Sequence, residues 1–231
     1  MKKIISILIL FLSCYFIYNL TIDNELYYLS IGDGIAKGIT NESNVSVYNY
    51  ADSIKDYLTS KNKLKGFNNS FVDKDYRITD LLRIIKYKEE IVVNNDHISI
   101  NELLKKADIV TISLGMNELY YKILVDNNNI YSYIDGMLND MKLLLKEVDR
   151  YNHKKVIVLG YYNTTNNNKD IFNYVNYKLK NIVNKRGFEF IDLDKIINNN
   201  ANYFTNNTNF YLNNWGYQKI SQIIVEKINK Y

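Results

Sequence analysis

Residues Tyr28 to Gly38 read YLSIGDGIAKG, and the interpretation of the chain turns on how this stretch changes character. The apolar run Leu26–Ile31 has the composition of a buried strand, and Gly32-Asp33-Gly34 breaks it sharply before a helical segment. In open α/β sheets, a strand that ends in such a tight turn is where reactive and ligand-binding groups are presented. Asp33 suits the turn itself, because a short carboxylate bonds nearby backbone N–H groups.

Downstream, apolar runs alternate with helical periodicities, the pattern of a parallel sheet with crossover helices. Further strands are expected weakly at 66–72, and clearly at Asp108–Leu114, Lys155–Gly160 and Phe188–Leu193. Helices are expected at Ser46–Thr59, Asp80–Ile85 (capped by Thr79), Ile98–Ala107, Ile130–Tyr151, Asp170–Val183 and Asn214–Asn229. Right-handed crossovers fold this order into a three-layer α/β/α sandwich, doubly wound around a mainly five-stranded parallel sheet. Binding groups then gather on the loops after the strands. The asparagine-rich stretches Asp126–Asn129, Thr164–Asn168, Asn198–Asn202 and Asn206–Asn209 have the chemistry of turns.

The chain has 231 residues, 47% apolar and 23% charged, which suits one globular domain over 26–231. Its net charge is +4, with lysines and arginines spread along the sequence, and no basic stretch is interleaved with aromatics as in nucleic-acid binders. The single cysteine, Cys14, lies in the N-terminal apolar stretch, so the domain has no disulfide, thiolate nucleophile or cysteine metal site. No cofactor or metal motif is present.

Residues 1–25 form a separate N-terminal segment. Lys2-Lys3 precede the apolar Ile4–Leu20, whose seventeen residues lie at the lower limit for spanning a bilayer and exceed a usual signal-peptide core. No small-residue cleavage site follows. The basic flank stays inside, which places the domain on the extracytoplasmic face, anchored by this segment. A lipoprotein signal ending at Cys14 is the alternative, but Phe11 fits a lipobox poorly and Tyr15–Leu20 stays apolar.

Three blocks of this sequence resemble those of the SGNH/GDSL hydrolases. The first strand and turn resemble a Gly-Asp-Ser-Leu block, with Gly34 at the position of the nucleophilic serine. Thr111–Leu119 (TISLGMNEL) resembles the Gly-x-Asn-Asp block, with Gly115 and Asn117 retained and Glu118 in place of aspartate. Phe210–Ser221 resembles the last block, with Asn213, Gly216 and Tyr217 retained, Tyr211 at the histidine position and Thr208 at the aspartate position. The resemblance implies an oxyanion hole built from the Gly34 N–H, the Asn117 side chain and a third donor near 74–80, where Asp75 is the nearest counterpart.

An ester-cleaving serine needs a base of near-neutral pKa and a carboxylate behind it. Gly34 has no side chain, and a phenol with a pKa of about 10 makes Tyr211 a poor base. In serine proteases, loss of nucleophile or base costs roughly a million-fold, while the oxyanion hole retains about a thousand-fold over water. The two histidines, His97 and His153, precede strands and so belong at the opposite end of the sheet. Asp33 and Glu118 form a candidate carboxylate pair for activating water or holding a metal, set against turn and helix-start roles. Gly115, Tyr161, Tyr162 and Trp215 are further candidates to line the pocket, and Arg77 to clamp an anion. The expectation is a pseudo-hydrolase binding an acylated or glycan-like envelope ligand. A divergent active esterase or deacetylase, and an interaction module with a vestigial pocket, are its rivals.

Overall fold

A computed structural model describes residues 25–40, 45–164, 166–197, 200–205 and 210–230. The N-terminal segment with Cys14, Thr208 and the 206–209 asparagine loop lie outside the described residues. Five parallel strands form the central sheet: β1 (Leu26–Gly32), β2 (Leu64–Asn68), β5 (Ile109–Ser113), β6 (Lys155–Leu159) and β7 (Glu189–Ile191), in the order β2-β1-β5-β6-β7. The order reverses between β1 and β5, and at such a switch point the connections from two neighbouring strands leave in opposite directions, with a crevice outside their carboxyl ends. Tyr28 pairs with Ile109 and Gly32 with Ser113, so the two strands end level.

The middle strands are covered on both faces, which is why they read as continuous apolar runs instead of alternating. Helices α2 (Tyr50–Ser60) and α9 (Asn214–Ile228) pack together on one face. Helices α3 (Ile78–Tyr87), α6 (Ile130–Tyr151) and α7 (Lys169–Asn184) cover the other. This is the expected three-layer α/β/α sandwich. The remaining helices are α1 (Gly34–Lys37), α4 (Ile100–Lys106), α5 (Met116–Val125) and α8 (Leu193–Ile197). Tyr217 on α9 is buried and donates its hydroxyl to the Ile39 carbonyl (2.8 Å), which locks the last helix to the turn after α1.

Several boundaries differ from the sequence expectation for physical reasons. Helix α2 starts at Tyr50, not Ser46, because Asn49 caps it: its Oδ1 accepts from the Ala51 and Asp52 amides (2.7 and 3.2 Å), and Asp52 returns the bond to the Asn49 N–H. Helix α3 is capped by Arg77 and not Thr79, with Asp80 accepting the Arg77 N–H (2.9 Å). Ile98 belongs to a strand and not a helix. An antiparallel hairpin, β3 (Glu90–Val93) and β4 (Asp96–Ser99), turns on Asn94 and Asn95, both with left-handed φ (52° and 70°). His97 lies on this hairpin, 3.2 Å from Glu90, and His153 precedes β6; both are exposed and neither reaches the crevice.

Among the described residues no helix is long and apolar enough to cross a membrane. The end of β1 is the tightest point of the fold. Gly32 has φ +152°, and a Cβ there would sit 1.9 Å from the Ser113 carbonyl oxygen. Gly32→Ala is expected to cost about 3 kcal/mol or more, because the β1–β5 pairing must open to admit the methyl group. Urea unfolding of the variant against wild type measures this.

Candidate functional site

Asp33, directly after β1, is fully buried and organises the crevice. Its Oδ1 accepts the Ile35 N–H (3.2 Å), capping α1, and its Oδ2 accepts the Gly115 and Met116 N–H groups (2.9 and 3.1 Å) at the start of α5. Its own N–H donates to the Ser113 carbonyl (2.8 Å). One side chain thus ties the ends of two neighbouring strands and starts two helices. Burial pushes the Asp33 carboxyl up to about 7, against the opposing pull of its amide donors.

Gly34 is the first residue of α1 and opens into a cleft of about 460 Å³. Asn117 and Tyr211 line the same cleft, so three of the residues singled out by sequence come together. A Cβ on Gly34 would lie 3.3 Å from Asn117 Nδ2, with no atom closer, and Gly34 has no positive φ. A Cβ therefore fits there only if the Asn117 amide gives by a few tenths of an ångström. Asn117 Nδ2 donates one hydrogen to the Lys74 carbonyl (2.6 Å); an amide carries a second.

Asp75 reaches the cleft but not as an oxyanion donor. Its N–H is committed to Asp73 Oδ1 (3.0 Å), closing an Asx turn. What it presents instead is a carboxylate, paired with Lys74 (2.8 Å), and that charge repels an oxyanion. The carboxylate-pair reading also fails on geometry. Asp33 is saturated by backbone amides, and Glu118 Oε1 accepts the Ile78 N–H (2.8 Å), capping α3 from across the cleft. Burial raises the Glu118 pKa, while the Ile78 amide and Arg77 pull it back. Arg77 is exposed at the cleft wall and makes no ion pair among the described residues.

The other expected lining residues stand back from the cleft. Gly115 lies behind it, with φ +95°, and starts α5. Tyr161 and Tyr162 are buried in the core, where their hydroxyls donate to the Leu114 and Phe210 carbonyls (3.2 and 2.6 Å) and brace the walls from behind. Trp215 is 71% exposed at the start of α9 and points away. The walls are aromatic residues that sequence reasoning passed over. Phe210 stacks on Tyr211 (centroids 4.6 Å, 28°) and meets Tyr120 at 4.4 Å, with Tyr121, Leu124 and Tyr133 beyond. Tyr120, Tyr121 and Leu124 all belong to α5, whose periodicity was available in residues 116–125.

The sequence matches no family model and no curated protein. Solved structures do match. A lipase from a goat rumen metagenome superposes with a TM-score of 0.69 at 14% identity, covering 87% of this chain and 96% of that one. An acetylxylan esterase from Geobacillus stearothermophilus gives 0.64 at 14% identity, over 88% and 94%. The chain has the fold of the SGNH/GDSL hydrolases. An α/β hydrolase from the metagenome of Lake Arreo, Spain, agrees, with a TM-score of 0.62 at 14% identity over 87% and 94%. Catalytic mutants of the acetylxylan esterase, with alanine for a serine, an aspartate or a histidine, superpose equally well (0.65, 0.65 and 0.66). That esterase keeps its frame when any one of these three groups is removed.

Asp33→Ala is expected to cost about 3 kcal/mol or more, since several buried amides lose their only acceptor together. The pH dependence follows from the direction of the shift. Folded Asp33 holds its proton to about pH 7, whereas an unfolded aspartate releases it near 3.8. The contribution is therefore complete below the unfolded value and is lost as pH rises through 7. Urea midpoints of wild type should fall relative to those of Asp33→Asn between acidic and mildly alkaline pH.

Proposed function

We propose that this protein is a pseudo-hydrolase: a domain of hydrolase fold that binds an acylated or glycan-like ligand of the cell envelope without cleaving it. The observation that carries this reading is Gly34. The first residue of α1, where the cleft floor opens beside Asn117, has no side chain and so no atom able to attack an ester. Tyr211 stands on the cleft wall where the resemblance expects an imidazole, stacked on Phe210. A cleft of about 460 Å³ is of small-ligand size. Aromatic walls suit the apolar faces of sugar rings or an acyl chain, and the Asn117 amide suits an acyl carbonyl. The acetylxylan esterase and lipase of like fold support these two ligand classes. The apolar Ile4–Leu20, behind Lys2-Lys3, supports an anchor that holds the domain outside the cytoplasmic membrane.

Wild-type protein is expected neither to react with a fluorophosphonate probe nor to hydrolyse p-nitrophenyl acetate. Gly34→Ser alone should alter stability by no more than about 1 kcal/mol, since the added Cβ asks only a small shift of the Asn117 side chain. Gly34→Ser combined with Thr208→Asp and Tyr211→His should gain measurable esterase activity. Hydrolysis by the unmodified domain, abolished by Asn117→Ala, would overturn the proposal in favour of a divergent esterase.

Acetylated xylo-oligosaccharides or short acyl esters are expected to raise the melting temperature by mass action. Phe210→Ala should weaken that binding by about fivefold, the scale of one aromatic contact. No shift with either ligand class favours a protein-interaction module instead.

A further inference from the structure

The lysines are spread along the sequence, yet the fold collects them. Each crossover of a parallel sheet returns the chain to the same edge, so the turns entering β2, β5, β6 and β7 meet there with the end of α9. Toward β7 most cations are paired: Lys154 with Asp108 (2.5 Å), Arg186 with Asp149 (3.4 Å), and Lys155 and Lys227 with Glu189 (3.6 and 2.6 Å), leaving Lys185.

Around the start of β1 they are not. Lys61, Lys63, Lys65, Lys106 and Lys230 are exposed and form no ion pair among the described residues. Contacts show that they converge. The Lys63 carbonyl accepts the Leu26 N–H (2.6 Å), and Lys106 Nζ lies 4.3 Å over the Tyr27 ring. Lys61 sits over Tyr57 (5.9 Å), whose hydroxyl donates to Asn229, next to Lys230 (2.8 Å). Asp108, which feels the Lys65 charge, is already held by Lys154. Counting Glu25 and Glu226, the cluster remains positive. At the cleft edge, by contrast, Lys37, Lys74 and Lys122 each pair with an aspartate.

The chain arrives at this cluster directly from the apolar Ile4–Leu20. Only Thr21–Glu25 intervenes, a reach of at most about 17 Å when extended. Charges this close to an anionic surface are within about two screening lengths at physiological salt, each about 8 Å. We propose that the N-terminal edge of the sheet, through Lys61, Lys63, Lys65, Lys106 and Lys230, docks on anionic phospholipid headgroups of the membrane that Ile4–Leu20 enters. Docking fixes the domain upright. The cleft then opens at the far end of β1, about 23 Å from the docked edge, and faces material beyond the bilayer and not the lipid beneath it. This inference rests on the anchoring reading given under Proposed function.

The test uses the full chain reconstituted in vesicles of phosphatidylcholine, alone or mixed with phosphatidylglycerol. A fluorophore is placed at Asn62→Cys on the basic edge or at Leu124→Cys on the cleft rim, each in a Cys14→Ser background, with a quencher on the lipid headgroups. The edge label should dim about twofold more on anionic vesicles, and the rim label should not respond to lipid charge. High salt, or Lys→Gln at positions 61, 63, 65 and 106, should remove the difference, each lysine contributing about fivefold in surface partitioning. High salt needs no mutant, so a poorly folding variant leaves the test intact. An edge label indifferent to lipid charge, a rim label that dims as much, or binding only to a soluble anionic polymer overturns docking. Retention on the vesicles through an alkaline carbonate wash tests anchoring separately, and loss there refutes the anchor without deciding the charge response.

Discussion

Asp33 commits both carboxylate oxygens to backbone amides, and the crevice exists because of it. Without that acceptor, the N–H groups starting α5 would be buried with no partner, and the ends of β1 and β5 would be held by backbone pairing alone. The same bonds set Gly34 at the mouth of α1 and, through α5, set Asn117 opposite it. The carboxylate is thus part of the frame, and its burial withdraws it from chemistry. The interactions that build the crevice are separate from the side chains that line it.

Much of the architecture was legible in the sequence because the strands that matter are buried on both faces. β1, β5 and β6 announce themselves as mainly apolar, β-branched or aromatic runs without alternation, and α6 through eight inward-facing residues at helical spacing. What escaped was local. The β3–β4 hairpin depends on two asparagines taking left-handed φ, a choice that composition permits without requiring. The start of α2 depends on one asparagine side chain turning back onto its own helix. Helix α5 was hidden because its first residues carry a recognisable motif, which drew the eye from the periodicity behind it.

The site divides in the same way. Gly34, Asn117 and Tyr211 were legible because the blocks that carry them resemble those of the SGNH/GDSL hydrolases, and a doubly wound sheet brings the loops after its strands to one edge. Asp75 was not, since its use of its own N–H inside an Asx turn is invisible in a string of letters. Tyr161 and Tyr162 differ from Tyr120 and Tyr121 only in which way their backbone faces, so residue type alone sent the first pair to the cleft and missed the second. The lysines make the point on a larger scale. Lysines far apart in the sequence become neighbours once every crossover ends at the same edge.

The bond from Tyr217 to the Ile39 carbonyl joins residues 178 apart in the chain. During synthesis every strand of the sheet has emerged before this contact is available, so the turn after α1 waits for the last helix to seal it. Vectorial folding from the amino end therefore stops short of a finished crevice. The latch joins the two ends of the described chain, and the crevice is complete only when α9 is in place.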